Sequence, residues 1–234
     1  MQLDQIAVAP DGTHHLFEGR ALYACRYAGV LKFHPPGLAA VRDDSGGYHI
    51  TLDGREAYQR RFKRAFGFYG NRAAVTDQSG WFHILANGES SYPERYAWCG
   101  NYHQERVPVR DQAGRYFHLK FDGCPAYKRT FRYAGDYREG VASVRDADGL
   151  CLHIDLAGEP VHGCRYLDLD VFHKEFARAR DEKGWFHIRR DGAPAYPARF
   201  KEIEPFYNGQ AHARTLTGHW VVIAESGAAT HEVF

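Results

Sequence analysis

The side chains best able to do chemistry in this chain crowd one short stretch. His162, Cys164, Asp168, Asp170, His173 and Glu175 set imidazoles, a thiol and carboxylates within 14 residues. Neutral imidazole nitrogen and carboxylate oxygen are ordinary ligands of a divalent metal, and an imidazole beside a carboxylate is an ordinary general acid–base pair. A divalent cofactor is therefore one expectation. The spacing matches no established ligand motif, and a solvated polar link would have the same composition. His103 and Glu105 repeat the arrangement of His173 and Glu175. They stand six and four positions before Val109, as His173 and Glu175 stand before Ala179. Alternate residues of an extended segment share a face, so each pair can act together on one rim if its backbone is extended. On a tight loop both are simply solvated.

Six further histidines recur with a fixed period: His15, His49, His83, His118, His153 and His187, at intervals of 34, 34, 35, 35 and 34. Imidazoles gathered near a common axis would suit a metal or an anion. A site needs two to four such groups, whereas a structural device recurs in every unit. The favoured reading is accordingly a polar staple, each His bonded to a neighbour in its own unit, with Val221 in the same slot of the last unit. The repeated Arg26, Arg61, Arg95, Arg165 and Arg199, and the repeated Asp43, Asp77, Asp111, Asp146 and Asp181, have the same structural character. They read as ion pairs, guanidinium–carbonyl contacts or turn caps. No phosphate loop, Gly-x-Ser-x-Gly elbow or His-Glu-x-x-His helix is present, so no reaction follows from a motif.

The elements that must position these groups are set by the same period. Each unit carries an aromatic-rich His strand such as Gly80-Trp81-Phe82-His83-Ile84, a turn glycine such as Gly88, a Tyr-x-x-Arg-aromatic segment such as Tyr92 to Tyr96, and a Val-x-Asp-x-x-Gly segment such as Val109 to Gly114. Alternation over four to six residues, with Asn-Gly and Asp-x-x-Gly between, predicts three short strands per unit: the His strand, Ser91 to Ala97, and Arg106 to Asp111. Written as third, first and second strand, the chain holds seven units, at about 3–33, 37–66, 71–100, 105–135, 140–170, 175–203 and 209–234. Long links such as Lys63 to Gly70 then fall between units as crossovers. The predicted fold is one all-β domain of seven three-stranded repeats, a closed toroid or small seven-bladed β-propeller, with an open twisted array as the alternative. Link aromatics, among them Phe66, Phe68, Tyr102, Tyr133 and Tyr207, suit a core, or a surface that stacks on a sugar.

Composition narrows the classes. With 234 residues, 44% apolar, a core needs no staples, since about 70% of the unfolded surface can be buried at this size. Thirty basic against 29 acidic side chains give a net charge of +1, which argues against nucleic acid as partner. No apolar run approaches membrane-helix length, which argues against a membrane partner. The residues Met1 to Gln5 do not resemble a secretory signal, and five cysteines without a Cys-x-x-Cys pair suit buried thiols in a reducing compartment. The expectation is a cytoplasmic protein.

The run Gly184-Trp185-Phe186-His187-Ile188, Asp191-Gly192, Tyr196-Pro197-Ala198-Arg199-Phe200, Pro205-Phe206-Tyr207-Asn208-Gly209 resembles the WG-repeat (KWG) family of bacterial proteins. The similarity spans about Gln5 to Gly227. It departs at the glycine after the signature Trp, where Phe82 and Phe186 stand, and the register His is not part of that signature. The resemblance implies a β-repeat scaffold, often joined to or working with a catalytic domain, and it transfers no catalytic residue. The combined expectation is a non-catalytic module that recognises a protein, peptide or small ligand through one rim. An acid–base or metal enzyme and a sugar-binding propeller are the alternatives.

Overall fold

The computed structural model describes residues 2–232; Val233 and Phe234, expected in the last strand, lie outside the described residues. Seven antiparallel sheets follow one another along the chain. The first pairs Ile6–Val8, His15–Phe17 and Arg20–Ala21. The second holds Gly29–His34, Leu38–Asp43 and Gly46–Ile50, and the third Arg64–Tyr69, Arg72–Asp77 and Gly80–Ile84. The fourth holds Trp98–Cys99, Val107–Arg110 and Tyr116–Leu119, and the fifth Tyr133–Ala134, Ala142–Arg145 and Cys151–Ile154. The sixth holds Asp168–Leu169, Ala177–Asp181 and Gly184–Ile188. The seventh has four strands, Glu202–Ile203, Gln210–Arg214, Trp220–Ala224 and Ala229–Glu232. From the second sheet on, each therefore has a lead strand, a middle strand and a His strand. The chain forms two compact units, Met1–Pro125 with the first four sheets and Ala126–Phe234 with the last three.

Alternation decides which side chains are buried. In the third sheet Val75 faces Phe82 and Ala73 faces Ile84 across the pair, all of them buried. Within the first unit these join Phe68, Val107, Val109 and Leu119 in one apolar cluster, with a second around Ile6, Phe33, Val41 and Ile50. The second unit has its own cluster around Phe172, Phe186, Ile188, Phe206 and Ile223. Small residues on the middle strand opposite large ones on the His strand let neighbouring sheets approach closely.

Three expectations of strand placement are corrected. The Tyr-x-x-Arg segment, read as the second strand, makes only isolated bridges such as Trp81 with Tyr96 and Ile84 with Ser90. The links read as crossovers supply the lead strands instead, Arg64–Tyr69 pairing with Arg72–Asp77 through a register shift between Ala65 and Phe68. In the seventh sheet, Val222 rather than Val221 occupies the His slot, because it pairs with His212 as His187 pairs with Arg178.

Candidate functional site

The six register histidines are all buried, with at most 1% of their surface exposed. Their bonds follow one rule. Nε2 of His15, His49, His83, His153 and His187 lies 2.7–3.0 Å from a carbonyl oxygen, of Leu31, Phe66, Gly100, Asp170 and Glu204 respectively. Each carbonyl belongs to the lead strand of the next sheet or the residue just after it. A carbonyl only accepts, so Nε2 carries the proton and Nδ1 is an acceptor. That acceptor receives the hydroxyl of Tyr23, Tyr58, Tyr92 or Tyr196 in the first, second, third and sixth sheets' repeats. Within the units drawn from the sequence these partners fall in the histidine's own unit, with Glu204 one residue past its end, and in terms of sheets each of these five rings ties one sheet to the lead segment of the next. Burial pushes His49, His83, His153 and His187 down to about 4, so these imidazoles are neutral at neutral pH. A ring of free imidazoles for a metal is therefore not what the histidines form.

The tyrosine completes the joint with its ring. A Cβ placed on Gly88 would lie 2.6 Å from Cγ of Tyr58, and one on Gly123 would lie 2.5 Å from Cβ of Tyr92. Gly54, Gly88, Gly123, Gly158 and Gly227 are bare because the preceding repeat's tyrosine occupies that space, and their positive φ suits the same residue. The repeated arginines are equally occupied. Nη1 of Arg95 donates to the carbonyls of Tyr92, Pro93 and Glu94, while the guanidinium stacks 3.6 Å above the Phe82 ring. Arg61 and Arg199 stack similarly on Tyr48 and Phe186. Asp43, Asp77 and Asp181 accept the backbone N–H two residues on, as turn caps.

The six residues of the crowded stretch are separated by this scaffold. His162 takes the tyrosine's place: its Nε2 lies 3.0 Å from Nδ1 of His153, and donates to it because His153 spends its own proton on Asp170. The Nδ1 of His162 is buried without a partner, and Cβ of Gly192, if present, would meet both His162 and Cys164. Burial lowers the pKa of His162 as well. Asp168 pairs with Arg145 at 3.5 Å, Asp170 with Arg178 at 2.5 Å, and Glu175 approaches Arg190 at 3.9 Å. Each of these carboxylates has its own arginine, and among the described residues no group of three or more His, Cys, Asp or Glu side chains could hold a metal ion. The buried thiols are poor nucleophiles: burial pushes Cys99 up to about 12 and raises Cys151.

His103 and His173 do occupy equivalent places, and those places are hairpins. His103 bridges Arg106 and His173 bridges Phe176, each opening the turn between lead and middle strand. Gln104 and Glu105 both have positive φ, so this segment is a tight turn and not an extended strand that sets His103 and Glu105 on one face. The same hairpin position carries His34, Tyr69, Arg138 and Tyr207 in other sheets. In the first unit His34, Tyr69 and His103 stand in a row, with ring centroids 4.7 and 5.8 Å apart.

In the second unit the hairpins are tied together. Arg138 Nη2 donates to His173 Nδ1 at 3.0 Å. Glu139 accepts the backbone N–H of Lys174 at 3.1 Å and pairs with Arg190. Beside this bracket lies a cleft of about 600 Å³, lined by His173, Lys174, Glu175, Arg190, Phe206 and neighbours. Tyr207, at the next hairpin, is 72% exposed. Spacing had singled out His173 and Glu175. Sequence reasoning missed Arg138, Glu139 and Arg190, whose only signal was that they break the aromatic or neutral character of their columns. Of the link aromatics, Phe68, Tyr102, Tyr137 and Phe206 are core, whereas Tyr133 and Tyr207 are exposed.

No family model matches the chain, and no curated protein matches it. Similar solved structures do exist. BamB from Moraxella catarrhalis superposes with a TM-score of 0.51 at 13% identity, over 100% of this chain and 86% of that one. The computationally designed protein Ika8 gives 0.53 at 10% identity, over 97% and 83%. Hsv2 from Kluyveromyces marxianus gives 0.50 at 8% identity, over 83% and 71%. At such identities the likeness concerns fold alone. The chain has the seven-sheet, all-β fold of the β-propellers, as the repeat predicted.

Proposed function

We propose that this chain is a non-catalytic recognition module of the WG-repeat kind, working in the cytoplasm, that binds a protein partner through the hairpins of its second unit. The observation that carries the reading is how the polar groups are spent. The repeated histidines and tyrosines are consumed in joining sheets, the repeated arginines in holding their own segments, and the carboxylates of Asp168, Asp170 and Glu175 each lie against an arginine. What has no such role is Tyr207, exposed beside the rigid bracketed surface of His173, Lys174 and Glu175. Tyrosine at the edge of a rigid, mixed-charge surface is typical of interface anchors, and a preorganised surface loses little entropy on binding. Five unpaired cysteines support a reducing compartment, and the WG-repeat resemblance supports a binding role beside a catalytic partner.

The test uses a photo-crosslinking amino acid at position 207 and, as a control, at the exposed turn residue Gln112. A protein captured from 207 and not from 112 is then purified and titrated against the native chain and Tyr207→Ala. The expected result is a loss of ten-fold or more in affinity for Tyr207→Ala, with unchanged melting temperature. Equal capture at both positions, or unchanged affinity in Tyr207→Ala, overturns the proposal.

A further inference from the structure

A second cleft lies wholly in the first unit, where the second and third sheets meet, and has a volume of about 490 Å³. Its walls are Val30, Leu31, Ala40, Val41, Ala65 and Phe66, with Leu31 45% exposed and Phe66 backed by the Trp81 indole at 5.3 Å. Its rim carries Arg42, Lys63 and Arg64, and its lining contains no carboxylate. The repeat supplies the comparison that gives this meaning. Arg42 stands in the middle strand of the second sheet opposite Gly47, as Arg145 stands in that of the fifth opposite Cys151. Arg64 opens the lead strand of the third sheet, as Asp168 opens that of the sixth. Where the later pair of sheets places an Arg–Asp ion pair at 3.5 Å, the earlier pair places two arginines, with Lys63 adjacent.

Arg42, Lys63 and Arg64 are exposed, with Arg64 lying over the Phe66 ring at 5.2 Å, so together they give the mouth of the cleft a positive potential that draws an anion. The carboxylates of the adjoining turns, Asp43, Asp44 and Asp77, line the neighbouring cleft and not this one. Asp43 is bonded to Ser45 and Tyr48, and Asp77 to Ser79 with Arg60 at 3.8 Å. We infer that the cleft between the second and third sheets binds a small organic carboxylate, its apolar body against Leu31 and Phe66 and its carboxylate between Arg42 and Arg64. The volume falls in the range of small-molecule sites, and a guanidinium pair is well shaped for a carboxylate. The inference does not rest on the hairpin surface of the second unit, and either can fail without the other.

Isothermal titration of the purified chain with octanoate, and separately with octanol, tests it. The expected result is one-to-one binding of octanoate with Kd on the order of 0.1 mM, and octanol at least about ten-fold weaker. Arg64→Asp recreates the Arg145–Asp168 arrangement, so it is expected to stay folded, melt higher and lose octanoate affinity by about ten-fold or more. Should that variant fail to fold, Arg64→Gln serves, with the same loss expected. Lys183→Ala, far along the chain, is expected to bind as the native protein does. No saturable heat with octanoate, equal binding of octanol, or native affinity in the Arg64 variants overturns the inference.

Discussion

Acidification should weaken the stability that the sheet-to-sheet joints confer well before the joints themselves take up protons. In the folded chain His49, His83, His153 and His187 are held near 4, against an ordinary value of 6.5, because burial penalises the imidazolium. The unfolded chain therefore binds more protons than the folded one between these values. Stability from these groups is fully present above 6.5 and is lost as pH falls towards 4. Between pH 7.5 and 5.5 each histidine contributes a loss of about 1 kcal/mol, so the four together remove roughly 5 kcal/mol. His15, His34 and His162 are also lowered by burial and add in the same direction. A loss of this size is a third or more of the roughly 5–15 kcal/mol that stabilises a typical domain. Urea unfolding followed by tryptophan emission at several pH values gives the slope directly, with about 3.5 protons taken up on unfolding at pH 5.5. A change below about 1 kcal/mol between pH 7.5 and 5.5 would refute the assignment of the histidines as neutral staples.

Two substitutions probe the joint from its other sides. Gly88→Ala sets a Cβ against Tyr58 and forces a positive φ on alanine, so it should lower stability by more than ~2 kcal/mol, read from the urea midpoint. His162→Tyr restores the hydroxyl donor found in the other repeats and removes the orphaned Nδ1, so it should raise stability by about 1 kcal/mol in the same assay.

The period was legible because one buried histidine marks the corresponding strand in six of the seven sheets, with Val222 in the seventh, and a buried polar group with two fixed partners tolerates little drift. Placement of the remaining strands was not legible, for a physical reason visible at Arg95. Its guanidinium gathers the carbonyls of Tyr92, Pro93 and Glu94, which curls a segment whose composition otherwise reads as a strand. The true lead strands lack clean alternation: Arg64–Tyr69 is bulged and Trp98–Cys99 has two residues, so period-two patterning is invisible in them. His173 and Glu175 were found because they are unusual in their column. Their partners Arg138, Glu139 and Arg190 come from positions 35 and 15 or more residues away in sequence, beyond any local pattern.

A departure from a repeat is thus informative only when the structure leaves it unbalanced. His162 is the clearest caution. It is the most conspicuous break in the tyrosine column, yet it does the tyrosine's work, donating to His153 and filling the space above Gly192. Asp168 looks like a catalytic acid in the sequence and is half of an ion pair with Arg145. Arg42 and Arg64 attract no notice in the sequence, since arginine is common in both columns' neighbourhoods. Arg42 follows its column, and Arg64 stands where the sixth sheet places Asp168 to meet Arg145, so Arg64 is the departure whose charge no residue of the scaffold is shown to match. The sequence identifies which residues differ, and the column partners supplied by the fold decide which differences a ligand has to answer.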